Sequence, residues 1–186
     1  LAACGLALIM GVEPQVICRA LEGVKSVPGR AEVLDTHTPY MVILDYSHSP
    51  DSLENILKTA KDFARGRVIV LFGCGGDRDY LKRPQMGAIA GRLADYSILT
   101  SDNPRSEEPM AIIRSIEEGI RKTQGSYEIM EDRRAAISKA LDMAQDGDVV
   151  ILAGKGHETY QEISGVKRPF DEKQIVRELL SGREGK

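Results

Sequence analysis

From about residue 40 onward, short apolar runs alternate with amphipathic stretches. The runs are "YMVILDY" (40–46), "RVIVLFG" (67–73), "YSILTSD" (96–102), "YEIMED" (127–132) and "DVVILAG" (148–154). They are rich in branched residues and lack a strict polar alternation, as expected of strands covered on both faces. Between them lie 51–64, 83–94, 109–122 and 132–145, which carry apolar residues at helical spacing, and "DEKQIVRELL" closes the chain as a further helix. "AEVLDT", near residue 31, adds a candidate edge strand. This rhythm predicts an α/β fold, a Rossmann-like, mostly parallel sheet flanked by helices on both faces. Upstream, residues 1–11 read as the end of a helix closed by Gly11, and "EPQVICRALEGV" as a second helix begun by Pro14. "KSVPGRAE" breaks the pattern, with Pro28-Gly29 as a turn. The expected organisation is therefore a helical remnant of a preceding domain over 1–29 and the α/β domain over 30–186.

Composition narrows the classes of function. Hydrophobic residues make up 42% and charged residues 28% of the chain, the balance of a globular domain. The net charge of −3 comes without a basic block, so duplex nucleic acid has no electrostatic footprint here. No apolar stretch approaches the ~20 residues of a membrane span. The apolar start "LAACGLALIMGVEP" lacks a basic leader and an initiating Met, and reads as the interior of a longer chain. Cys4, Cys18 and Cys74 are odd in number and form no C-x-x-C pair, which points to a reducing compartment and the cytoplasm. His37, His48 and His157 are too scattered for a zinc motif, and no metal ligand is assigned.

Parallel strands all point one way, so the segments that follow them gather at one sheet edge, where open α/β sheets bind ligands. Those segments are "DYSHSPDS", "GCGGDRD", "TSDNPRSEEP", "EDRR" and "AGKGHE". In the first, Ser49 and Pro50 are ordinary helix-start residues, which leaves Asp45 and His48 unexplained. In "EDRR", Asp132 is most simply a helix cap, with Arg133 and Arg134 solvated. "GCGGDRD" is no dinucleotide fingerprint, because Arg78 stands where the third glycine belongs and "DRDYLKRP" delays the helix. Asp77 and Arg78 on a glycine turn suit a substrate clamp better. "AGKGHE" is no P-loop, since Gly156 follows Lys155 in place of Ser or Thr. A turn accounts for Asp102-Asn103-Pro104 but not for Arg105.

In order along the chain, "VPGRAEV", "DYSHSPDSLEN", "GCGGDRD…KRPQMG", "SDNPRSEEP", "AGKGHETYQ" and "KRPFDE" resemble the C-terminal part of the Mur ligases. The resemblance implies an ATP-dependent, amide-bond-forming enzyme of peptidoglycan synthesis. Its members have a uridine-nucleotide domain, a central ATPase domain and a C-terminal domain that binds the incoming amino acid. In members that add meso-2,6-diaminopimelate to UDP-MurNAc-L-Ala-D-Glu, D-N-P-R is the selectivity motif, matched by Asp102, Asn103, Pro104 and Arg105. Further amino-acid contacts carry over to Arg78, Gly154 and Glu158, and nucleotide contacts to Arg30, Asp45 and His48. ATP and Mg2+ are held mainly by the central domain, so no catalytic residue is expected in this stretch and the isolated chain is expected to be inactive. Three alternatives remain at this stage: the lysine-adding homologue, folylpolyglutamate synthetase, and a non-catalytic α/β binding module.

Overall fold

The computed structural model describes residues 2–24 and 26–182. Helices α1 (Ala2–Ile9) and α2 (Pro14–Glu22) come first and bury none of their residues. Strands β1 (Glu32–Leu34), β2 (Met41–Asp45), β3 (Val68–Phe72), β4 (Tyr96–Leu99), β5 (Tyr127–Ile129) and β6 (Val149–Ala153) form one sheet in the order β1-β2-β6-β3-β4-β5. Every neighbouring pair is parallel except β1 with β2. The connecting helices are α3 (Pro50–Phe63), α4 (Lys82–Leu93), α5 (Pro109–Ile120) and α6 (Arg133–Met143), and α7 (Glu172–Ser181) ends the described chain. The five apolar runs are the five parallel strands, and "AEVLDT" supplies the antiparallel edge.

β3 and β6 are buried at every position because helices cover both sheet faces. Along β6 the side chains divide by alternation: Val149, Ile151 and Ala153 join the core under α3, α4 and α5, while Val150 and Leu152 join the core under α6 and α7. Register then sets the height of the functional edge. Asp45 pairs with Ala153, Leu71 with Leu152, and Phe72 with Leu99, so the segments following β2, β6, β3 and β4 leave the sheet nearly level.

Two local devices hold the sheet, one at each edge. Gly119 packs on the Pro84 carbonyl and Gly87 on the Ile116 carbonyl, which brings α4 and α5 together at backbone distance and fixes the loops that precede them. At the opposite edge, buried Asp148 accepts hydrogen bonds from the Arg67 backbone (2.6 Å), Arg67 Nη2 (2.7 Å) and the Gln145 backbone (2.9 Å), which joins the starts of β3 and β6.

Away from the loops after β3 and β4, the structure departs from sequence expectation in two places. A two-stranded antiparallel hairpin, β7 (Tyr160–Ile163) and β8 (Val166–Pro169), follows the main sheet where no strand was expected. Its strands are half-buried and exposed respectively, so no buried face imposes a pattern. Arg133, expected in solvent, is fully buried. Its Nε donates to Glu172 Oε1 (2.8 Å), Nη2 to the Ala153 carbonyl (2.9 Å) and Nη1 to the Ser101 carbonyl (3.3 Å). A guanidinium can be buried there because a carboxylate and two carbonyls satisfy it. Its neighbours behave as expected: Asp132 caps α6 through the Ala135 amide, and exposed Arg134 pairs with Glu178.

Candidate functional site

At the carboxyl edge the segments after β2, β3, β4 and β6 enclose a cleft of about 310 Å³. Among its lining residues are His48, Arg78, Asp102, Asn103, Arg105, Gly154 and Glu158, together with Tyr46, Asp79 and Lys82. Most residues singled out in the sequence for amino-acid contact thus lie on one surface. Pro104 does not line it. Its carbonyl packs against Gly76, so its part is to shape the turn.

The loop after β4 is held from both sides. On one side Gly76 N donates to the Asn103 carbonyl (2.9 Å), and Arg105 Nη1 donates to the Gly76 carbonyl (2.7 Å). Buried Arg83 reinforces this contact by pairing with Glu107 at 2.8 Å, and Glu107 in turn accepts from the Asp77 amide (2.6 Å). On the other side the β7–β8 hairpin docks on the loop: Arg105 N donates to the Glu162 carbonyl (3.1 Å), and Ser164 N to the Arg105 carbonyl (2.7 Å). Arg105 itself has φ +52°, in the left-handed region. A non-glycine residue held there costs free energy that these contacts offset.

Asp77 corrects one half of the expected clamp. Its carboxylate accepts from Ser106 Oγ (2.6 Å) and the Ser106 amide (3.2 Å), which lowers its pKa, so it ties two loops together and is not among the cleft-lining residues. Arg78 remains at the rim, exposed, with Gly75 between it and Arg105. A Cβ on Gly75 would come within 2.8 Å of Arg105 Nη1.

The inner wall is acidic and ordered. Asp102 and Asn103 are buried, and Gly154 turns at φ +114° so closely that an added Cβ would sit 2.6 Å from Asp102 Oδ2. Asn103 Nδ2 donates to Glu158 Oε2 (2.8 Å). Tyr46 OH reaches Glu158 Oε1 at 3.5 Å, and burial followed by the charge of Glu158 raises the tyrosine pKa. Lys155, dismissed in the sequence as a failed P-loop lysine, is fully buried behind this wall. Burial lowers its pKa, against the opposing pull of Asp102, Glu158 and Glu172.

Of the expected nucleotide residues, His48 lines the cleft, while Arg30 and Asp45 sit to one side of it. Arg30 stacks over the Tyr46 ring at 4.8 Å, and the His48 and His157 rings lie 4.8 and 5.3 Å from it. Asp45 accepts from the Ala31 amide (2.7 Å) and from Ser47 Oγ. Arg30 and Asp45 are therefore outside the cleft, on the side of Tyr46 where the chain enters the domain. Gly29 packs at that entry against the backbone of Gly156 and His157. Tyr46, Lys82 and Lys155 were missed in the sequence, although Tyr46 directly follows a strand inside a segment already marked as unusual. Among the described residues, no group of three or more His, Cys, Asp or Glu side chains is arranged to hold a metal ion, and no helix is long and apolar enough to cross a membrane.

The chain is similar to UDP-N-acetylmuramoyl-L-alanyl-D-glutamate–2,6-diaminopimelate ligase of Caldanaerobacter subterraneus subsp. tengcongensis, with 52% identity over 99% of this chain and 38% of the relative. To the ligase of the same name from Aquifex aeolicus it is 52% identical, over 97% of this chain and 37% of the relative. A solved structure of a 2,6-diaminopimelate ligase superposes with a TM-score of 0.80 at 39% identity, covering 98% of this chain and 37% of that one. The chain thus spans somewhat over a third of the length of these relatives. The Mur ligase family, through its glutamate ligase domain, matches residues 29–156. On that match the chain belongs to the Mur ligase family.

Proposed function

We propose that this chain is the amino-acid-binding part of a ligase that joins meso-2,6-diaminopimelate to UDP-MurNAc-L-Ala-D-Glu at the expense of ATP. The observation that carries the reading is the polarity of the cleft. Arg105 and Arg78 flank Gly75, while Asp102, Asn103 and Glu158 stand on the inner wall. Diaminopimelate differs from lysine by a carboxylate beside its distal ammonium. Arg105 Nη1 donates to the Gly76 carbonyl and Nε faces Glu162 Oε2 at 3.7 Å, which leaves Nη2 and the second Nη1 proton able to take a carboxylate. Asp102 and Glu158 suit the ammonium. A lysine in this cleft would bring no carboxylate to the outer N–H groups of Arg105, whose remaining anion is Glu162 at 3.7 Å, and loss of a polar partner discriminates far more strongly than a missing methylene.

In this reading the chemistry begins elsewhere in the protein. ATP phosphorylates the γ-carboxylate of the D-glutamyl residue, the uncharged amine of diaminopimelate attacks the acyl carbon, and phosphate leaves as the amine loses a proton. ATP and Mg2+ would be held mainly outside this chain, with Arg30, Asp45 and His48 approaching the nucleotide from the entry side. The task of this domain is to hold the amine at attack distance, a positioning effect that accounts for much of the rate in reactions of this kind. Residues 1–29 would be the last helices of the central domain, whose surface would cover the exposed Leu6, Ile9 and Met10. The cytoplasm is the compartment this reading implies.

The test is a chimera in which this chain replaces the matching stretch of the Aquifex aeolicus relative, supplied with UDP-MurNAc-L-Ala-D-Glu, ATP and Mg2+. Amide product with diaminopimelate is expected, at a kcat/KM on the order of 100-fold or more above that for L-lysine. The 186-residue chain alone should form no product. Equal use of lysine, or turnover by the chain alone, contradicts the reading.

A further inference from the structure

Lys155 is a charged side chain with no contact to water, and each of its polar partners is a site residue. Its Nζ lies 3.0 Å from Asn103 Oδ1, 3.4 Å from Glu158 Oε2 and 4.0 Å from Asp102 Oδ1. The Tyr160 and Phe170 rings stand 5.8 and 5.9 Å from it, so the start of the hairpin and the approach to α7 roof the ammonium. Burying an ammonium is costly unless it is paired and hydrogen-bonded, and an apolar side chain of similar volume would fill the same space at lower cost. Packing alone therefore does not explain the lysine.

The hydrogen-bond directions do. Asn103 Oδ1 accepts from two N–H donors, Lys155 Nζ at 3.0 Å and the Glu162 amide at 2.9 Å. With its oxygen so engaged, the amide can present only its NH2 group to Glu158 Oε2, 2.8 Å away. Flipping the amide would set NH2 against two donors and its oxygen against a carboxylate. The charge count is equally specific. Asp102 and Glu158 supply two negative charges and Lys155 one positive, while nearby Arg133 and Glu172 pair with each other, which leaves the inner wall one net negative charge, the complement of one incoming ammonium.

We propose that Lys155 is a positioning residue for amino-acid binding: by locking the Asn103 amide and sharing Glu158, it fixes one net negative charge at a set place in the cleft. The inference rests on the amino-acid-binding reading above for its ligand, but the lock itself is a property of this chain.

The test uses the 186-residue chain, labelled with 15N and titrated with meso-diaminopimelate. In the wild type the two Asn103 side-chain N–H resonances should be well dispersed and protected from exchange. Lys155→Met should collapse them toward the free-amide position, weaken diaminopimelate binding at least tenfold, and leave the remaining amide spectrum dispersed. In a double-mutant cycle with Asn103→Ala the losses should be markedly less than additive, because Lys155 acts through Asn103. A Lys155→Met chain with unchanged Asn103 resonances, unchanged affinity or fully additive losses overturns the proposal. Should Lys155→Met not fold, Lys155→Gln takes its place with the same readouts. If the wild type fails to bind diaminopimelate, the amino-acid reading falls, while the Asn103 resonances still decide whether the lock exists.

Discussion

At Gly154 the backbone turns at φ +114°, and a Cβ would meet Asp102 Oδ2 at 2.6 Å. Alanine at this position combines backbone strain with displacement of a carboxylate that lines the cleft. Gly154→Ala is expected to weaken diaminopimelate binding by about 1–2 kcal/mol, on the order of tenfold. Titration of the variant checks this, and unchanged affinity would place Asp102 outside the binding surface. Residues of this kind differ in how far the sequence reveals them. Arg105 stood out because a turn has no need of a guanidinium, and the cleft is where the structure puts it. Lys155 and Arg133 did not stand out, because hydropathy assigns charged side chains to water. What reverses that assignment is a distant partner: Arg133 meets Glu172 across 39 residues, and Lys155 meets Asn103 across 52. No local pattern carries that information.

Among the elements, the parallel strands were legible because burial on both faces leaves continuous apolar runs. The β7–β8 hairpin was not, since four-residue strands with half-exposed and exposed faces carry no alternation. It matters nonetheless, because it braces the backbone of Arg105. Sheet integrity depends on the opposite edge, where Asp148 joins the starts of β3 and β6. Burial would raise its pKa, but the hydrogen bonds from Arg67 and Gln145 outweigh burial and hold it below the ordinary value. The stability it contributes is complete above pH ~4, the ordinary carboxylate range, and is lost as the pH falls through the lower folded value. Asp148→Asn is therefore expected to cost about 2–3 kcal/mol at pH 7 in urea unfolding. The gap to the wild type should narrow below pH ~4. A gap that stays constant across that range would mean the carboxylate charge is not what holds the strands.

For the molecule as a whole, function follows from topology. Four loops distant in sequence become one surface because β2, β6, β3 and β4 are adjacent, parallel and in level register. That convergence was foreseeable from strand direction alone, whereas the strand order, with the late strand β6 inserted between β2 and β3, was not. In the proposed function this surface recognises a diamino dicarboxylic acid through Arg105. That recognition is tested most directly by titrating the wild-type and Arg105→Ala chains with meso-diaminopimelate and with L-lysine, followed by NMR so that weak binding is measurable. The wild type should bind diaminopimelate at least tenfold more tightly than lysine, and Arg105→Ala should abolish the difference. Equal affinities in the wild type, or a preference that survives the loss of the guanidinium, would contradict it.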